Sequence, residues 1–178
     1  MTASGPTATA DPRVQQTRMA LFQAFRSLVL SREYDAIRVA DIIARAGVSR
    51  STFYHHYRNK DDILAGSMGG LLSVLAAAAT GAGKHEDVRF VLQHFWENRQ
   101  FGRVILNGQA ARRVAGALAD SIERSGHGDE SRRVTTRLQA VQMAEGQLGA
   151  IRAWLQGGVR CTAHDLADQF MRFGMGFR

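Results

Sequence analysis

Seven consecutive positions, Arg50 to His56, carry a guanidinium, two small hydroxyls, a phenol and two imidazoles around a single Phe53. Groups of this kind have no hydrophobic reason to share one short segment. What they can do is recognition: Arg50 can donate two parallel hydrogen bonds to a guanine edge, and Ser49, Ser51, Thr52, Tyr54 and His55 can reach base edges or neighbouring phosphates. Arg38 and Lys60 flank the segment with cations suited to phosphate. The candidate nucleic-acid contacts are therefore Arg38, Ser49, Arg50, Ser51, Thr52, Tyr54, His55 and Lys60.

Other chemistry is poorly supported by the sequence. His55 and His56 are adjacent, so on a helix they point about 100° apart and cannot share one metal. His85, His94, His127 and His164 are scattered, with no Cys or carboxylate expected at ligand spacing beside them, so neither metal nor cofactor is expected. Ser, His and Asp can be collected from any chain of this length, and without a nucleophile elbow or paired carboxylates no catalytic site is assigned. The G-S-M-G-G run at Gly66–Gly70 lacks the preceding strand and the Lys-Ser/Thr of a phosphate loop. A flexible or closely packed stretch of helix is the better reading.

The recognition residues need a scaffold, and the sequence around them supplies one. Val39, Ile42, Ile43 and Ala46 recur at the i, i+3, i+4, i+7 spacing of a buried helical stripe, with Arg38, Asp41 and Arg45 outside it. Gly47 can close that helix at positive φ. Val48 can fill the angle, and Ser49 can cap a second helix over Arg50 to Tyr57 that turns Phe53 and Tyr57 inward. Asp11-Pro12 opens an earlier helix ending near Ser31, whose stripe of Leu21, Phe22, Phe25, Leu28 and Val29 gives the small core its third side. Asn59 caps a fourth helix beginning at Lys60, with Asp61 and Asp62 placed to complement its dipole.

The run A-G-V-S-R-S-T-F-Y-H-H-Y-R-N-K-D-D-I-L resembles the helix-turn-helix signature of the TetR/AcrR-like family of bacterial transcription regulators, with a close match over about Arg13 to Leu64. Arg38 stands where the family often carries Thr or Ser, and Glu33 where it often carries Gly. The resemblance implies a dimeric, ligand-responsive regulator, a repressor that binds a palindromic operator in double-stranded DNA. It also implies a cavity for a small apolar effector in the C-terminal part. A helical adaptor whose helix-turn-helix docks protein is the alternative, and an apolar exposed face would favour it.

With 178 residues the chain can bury one large core or a small domain and a medium one. Of its 23 basic residues only Lys60 and Lys84 are lysines, and the net charge of +7 favours a polyanionic partner. Composition of this Arg-, Ala- and Gly-rich kind also arises from genomic base composition, so charge alone discriminates poorly. Its distribution says more: 13–65 and 66–178 each carry a net +4, which concentrates the excess in the smaller part. One cysteine, Cys161, excludes an intrachain disulfide framework and fits a reducing cytosol. The longest apolar run, Leu71 to Ala79, is far short of the about 20 residues of a membrane span. A cytoplasmic protein is expected.

The expected organisation is a disordered tail at 1–10, a helix-turn-helix domain at 11–65 and a regulatory domain at 66–178. No strand-like alternation appears, and the pattern gives an all-α protein of about nine helices. The 66–178 part shows amphipathic stretches at Asp87–Asn98, Phe101–Asn107 and Gln109–Arg124, a G-H-G-D loop at Gly126–Asp129, and a long helix from Arg132 to Leu155. Phe90, Phe95, Trp96, Phe101, Met143 and Trp154 are the candidates for the effector cavity. Val134, Leu138, Val141, Leu148 and Leu155 lie on a near-heptad stripe with Ile151 beside it, and Leu166, Phe170 and Phe173 make the apolar face of a last helix opened by a Thr162–Asp165 capping box. Leu148, Ile151, Leu155, Leu166, Phe170 and Phe173 are thus expected at a homodimer interface built as a four-helix bundle.

Overall fold

The computed structural model describes residues 11–126 and 137–175; the expected tail, the residues 127–129 of the G-H-G-D loop, and Arg132 and Val134 of the long helix fall outside them. Nine α-helices and one 3₁₀ turn are present among the described residues, with no strand. They are α1 Pro12–Val29, the 3₁₀ turn Tyr34–Ala36, α2 Val39–Ala46, α3 Arg50–His56, α4 Lys60–Ala79, α5 His85–Glu97, α6 Arg99–Ile105, α7 Gly108–Gly126, α8 Arg137–Leu155 and α9 Ala163–Met175.

Local chemistry explains the first four helices. Asp11 caps α1 by accepting from Arg13 N–H at 2.9 Å, with Pro12 at the first position. Leu21, Phe25 and Leu28 from α1, Ile42 from α2, Phe53 from α3 and Ile63 from α4 are almost wholly buried and form the N-terminal core. Phe22, expected inside, is only half-buried and lines a cavity instead.

α4 is the central element. It packs against α1, α5, α7, α8 and α9, burying Ile63, Leu64, Met68, Leu72, Leu75 and Ala76. By length and composition alone this helix could cross a membrane, a point the apolar run at Leu71–Ala79 underestimated. Burial against five neighbouring helices accounts for its apolar character. The boundary expected at 65/66 falls inside it, so both parts of the molecule share one continuous helix. Gly69 and Gly70 are not close-packing sites, since Cβ atoms added there would meet nothing within 4 Å, whereas one at Gly66 would touch the Tyr57 ring at 3.6 Å.

The expected dimer face is corrected by the fold. Leu148, Ile151, Leu155, Leu166 and Phe170 are all at most 6% exposed inside the single chain, where α8 packs against α7 and α9 against α5 and α4. A helix in this bundle must bury its most apolar stripe against its own chain first. Of the six, only Phe173 is half-exposed, at 52%. The outward side of α8 carries Leu138, Val141, Glu145 and Gly146 instead.

Candidate nucleic-acid interface

The N-cap of helix α2 is Arg38, which has no side-chain acceptor to offer; its own N–H donates to Asp41 Oδ2 at 3.0 Å, so the capping box is made from one side. Asp41 also pairs with Arg32 at 3.6 Å. At Gly47 the chain turns through φ 64°, ψ 29°, a left-handed conformation that a Cβ would strain. Val48 and Tyr57 pack partly buried against the core, which fixes α3 relative to α2.

Ser49 is the cap of α3: Thr52 N–H donates to its Oγ at 3.0 Å, and the Ser51 and Thr52 hydroxyls lie 2.8 and 2.7 Å from it. Its oxygen therefore orders the helix start rather than standing free. Beyond it, Arg50, Ser51, Tyr54 and His55 are exposed and Thr52 is half-buried, while Phe53 between them is fully buried. Arg50 lies 5.9 Å from the centre of the Tyr54 ring, so the guanidinium is partly pre-positioned over an aromatic face. Desolvation, helped by His55 and Arg18, lowers the His56 pKa below the usual imidazole value, and its ring packs beside Tyr57.

The surface around α3 is basic. Arg38, Arg45, Arg50 and Arg58 are exposed, while nearby acids are occupied: Asp62 accepts from Arg58 N–H at 2.8 Å, and Asp61 takes the Tyr34 hydroxyl and pairs with Arg113 at 2.7 Å. An apolar docking face is not what α3 presents.

Lys60 requires a correction. Its ammonium donates to the carbonyl oxygens of Tyr34 at 2.6 Å, Ile37 at 3.1 Å and Asp35 at 3.3 Å, and sits 4.6 Å from the Tyr34 ring centre. An ammonium has three donors, and all are taken. Lys60 fastens the 3₁₀ turn to the start of α4 instead of offering its charge to a phosphate.

The expected effector residues separate. Phe95 and Phe101 line a cavity of about 100 Å³ with Phe22, Arg26, Met68 and His94, and Phe90 lies on the rim of a wider open groove beside it. Ser67, Leu71 and His94 belong to both spaces. Trp96, Met143 and Trp154 line neither: Met143 is core, and Trp96 stacks on Trp154, whose indole N–H donates to Cys161 O at 2.9 Å. At the far end of the molecule the fold brings His85 beside His164 and Asp168. The expectation of no carboxylate at ligand spacing overlooked that His164 and Asp168 are one helical turn apart on α9.

Fold and site define a helix-turn-helix protein with an N-terminal reading head and a C-terminal helical domain. Residues 21–66 match the family model for bacterial regulatory proteins of the tetR family. The chain thus carries a tetR-family helix-turn-helix on a TetR-like all-helical fold. Over 55 residues it is 40% identical to an uncharacterized HTH-type transcriptional regulator, YxbF, of Bacillus subtilis, covering 30% of this chain and 14% of that protein. Over 49 residues it is 35% identical to DhaS, the dhaKLM operon transcriptional activator of Lactococcus lactis, covering 28% of this chain and 26% of that one. The match thus spans well under half the length of either relative. The structure of a TetR transcriptional regulator from Streptococcus agalactiae superposes with a TM-score of 0.57 at 23% identity, over 91% of this chain and 95% of that one. A TetR-family protein from Syntrophomonas wolfei gives 0.52 at 17%, over 90% and 94%.

Proposed function

We propose that the protein is a cytoplasmic transcriptional repressor that binds a palindromic operator as a homodimer through α3 and releases it when a small, mostly apolar molecule binds in the C-terminal domain. The observation that carries this reading is the exposed row of Arg50, Ser51, Tyr54 and His55 on a capped helix inside a basic surface. Arg50 is the base-reading residue; Arg38, Ser51, Thr52, Tyr54 and His55 contact adjacent bases or phosphates.

Division at about residue 65 gives a reading domain and a regulatory domain, with the outward face of α8 and Phe173 of α9 taking the second copy. Gly146, Gly149, Ala150 and Ala153 recur along α8 at helical spacing and would let a partner helix approach closely. The effector site is the cavity by Phe95 and Phe101 opening into the groove at Phe90. It adjoins the reading domain directly, because Phe101 of α6 meets Phe22 and Phe25 of α1 edge-on at 6.1 and 6.5 Å. A ligand that enlarges this small cavity presses on α1, α4, α5 and α6, which line it, and α1 carries the core on which α3 is mounted.

Selection of binding sites from random duplex DNA with the purified protein tests the reading, followed by a promoter reporter that reads repression or activation. A palindrome with half-site centres about one helical turn, ~34 to 36 Å, or a multiple of it apart is expected. Failure to enrich any duplex, with capture of a protein partner by α3, would establish the adaptor instead.

A further inference from the structure

Where α5 begins against the first turns of α9, three side chains able to ligate a metal converge, and none takes part in the proposed regulatory mechanism. His164 and Asp168 stand one turn apart on α9, so both project from the same side of that helix. His85 is the first residue of α5. Its place is fixed by the preceding turn, in which the Ala82 and Gly83 N–H groups both donate to Ala77 O, at 2.9 and 2.8 Å. Gly83 is needed there, since a Cβ would come within 2.8 Å of Ala78 N.

The donor atoms of His85, His164 and Asp168 all lie within 4.8 Å of one another. His85 Nε2 is 2.8 Å from Asp168 Oδ1, and His164 Nε2 is 3.8 Å from Asp168 Oδ2. At metal–ligand distances of about 2.0 to 2.2 Å, tetrahedral ligand atoms stand roughly 3.3 Å apart. Small side-chain rotations therefore suffice to close the set. A simple hydrogen-bonded pair does not describe it: His85 Nε2 is buried without a hydrogen-bond partner, so its approach to Asp168 lies off the direction a hydrogen bond requires. Asp165, the nearest other acid on α9, is committed to the cap, accepting from Thr162 N–H at 2.8 Å and from its hydroxyl at 2.7 Å. Those bonds hold its carboxyl below the usual range.

We infer that His85, His164 and Asp168 form a site for a first-row divalent transition-metal ion, with zinc as the best match to two imidazoles and a carboxylate. Three protein ligands leave one tetrahedral position for water or a solution ligand. His164 is 62% exposed and Asp168 38%, which gives the ion a way in. Because the ligands come from two helices and His85 precedes His164 by 79 residues in sequence, the ion clamps the start of α5 to α9.

The test is calorimetric titration of zinc chloride into the untagged full-length chain, with thermal unfolding measured with and without zinc. One ion per chain and a zinc-dependent rise in Tm are expected. His164→Ala and Asp168→Asn, both at exposed or half-exposed positions that leave the core intact, should each weaken zinc at least about tenfold, and removal of both imidazoles should abolish the Tm rise. Absence of saturable binding at one ion per chain would overturn the inference. Binding unaffected by His164→Ala and Asp168→Asn would do the same, because it would place the ion elsewhere. If the His85→Ala chain is too unstable to measure, the two α9 variants decide.

Discussion

Tyr34 donates its phenolic hydrogen to Asp61 Oδ1 at 2.5 Å, and the same carboxylate receives Arg113 at 2.7 Å on its other oxygen. One acid at the start of α4 thereby ties the 3₁₀ turn of the reading domain to α7 of the C-terminal domain. Together with the Phe101 contact on α1, it adds a second non-covalent link to the continuous helix α4.

The phenol is 6% exposed, and burial, then the hydrogen bond and charge of Asp61, push its pKa well above the ordinary 10.0. A raised folded pKa means the native state holds its proton more tightly than the unfolded chain. The stabilising contribution is complete below pH 10 and declines as pH climbs from there toward the folded value. Tyr34→Phe should cost about 0.5 to 1.5 kcal/mol at neutral pH and remove this alkaline decline, as read by urea unfolding between pH 8 and 11. A decline that persists unchanged in the variant would assign it to another group.

Arg50→Ala should lose about 1 to 3 kcal/mol of operator affinity, selectively at one base position per half-site. Loss spread evenly over all sequences would show a phosphate contact; measured affinities on single-base operator variants distinguish the two.

For Lys60 the carbonyl cluster predicts a stability effect rather than an electrostatic one. Lys60→Met should destabilise the protein by about 1.5 to 3 kcal/mol, because three carbonyls lose a charged donor. The slope of log affinity against log salt should stay the same, whereas a phosphate contact would reduce it by about 0.9 per subunit.

At the proposed dimer face, two substitutions separate folding from association. Leu148→Asp should unfold the chain, since even truncation of a buried Leu costs about 2 to 5 kcal/mol and a carboxylate there has no partner. Gly146→Gln places its Cβ in open space and removes a helical glycine, so it should raise protomer stability by about 0.5 to 1 kcal/mol while blocking close approach of a second α8. Sedimentation should then give folded monomers with weakened operator binding. A stable Gly146→Gln dimer would move the interface elsewhere.

Control through the shared helix makes a last expectation. Gly69→Ala and Gly70→Ala meet no atoms within 4 Å, so together they should stiffen α4 without disturbing packing. Coupling between effector and operator, typically about 1 to 3 kcal/mol and equal in both directions, should be kept or increased. Identical effector affinity for free and operator-bound protein would show that no such coupling exists.

What the sequence determined by itself was most of what neighbours within a few residues set, the one-turn spacing of His164 and Asp168 excepted. The caps at Asp11, Ser49 and Asn59, the positive-φ turn at Gly47 and the α2 stripe of Val39, Ile42, Ile43 and Ala46 each depend on spacing within a single helix or turn, so the helix-turn-helix was legible down to the exposure of Arg50 and Tyr54. Tertiary structure decided the rest, because it depended on which distant surface each stripe met. Leu148 and Phe170 satisfy the same periodicity whether they face a second chain or their own, and only packing of α8 on α7 and of α9 on α5 places them inside. The role of Lys60 turned on where three carbonyls 23 to 26 residues earlier come to rest. His85, His164 and Asp168 are ordinary polar residues in sequence; a turn at Ala77 and the contact of α5 with α9 bring their donor atoms together.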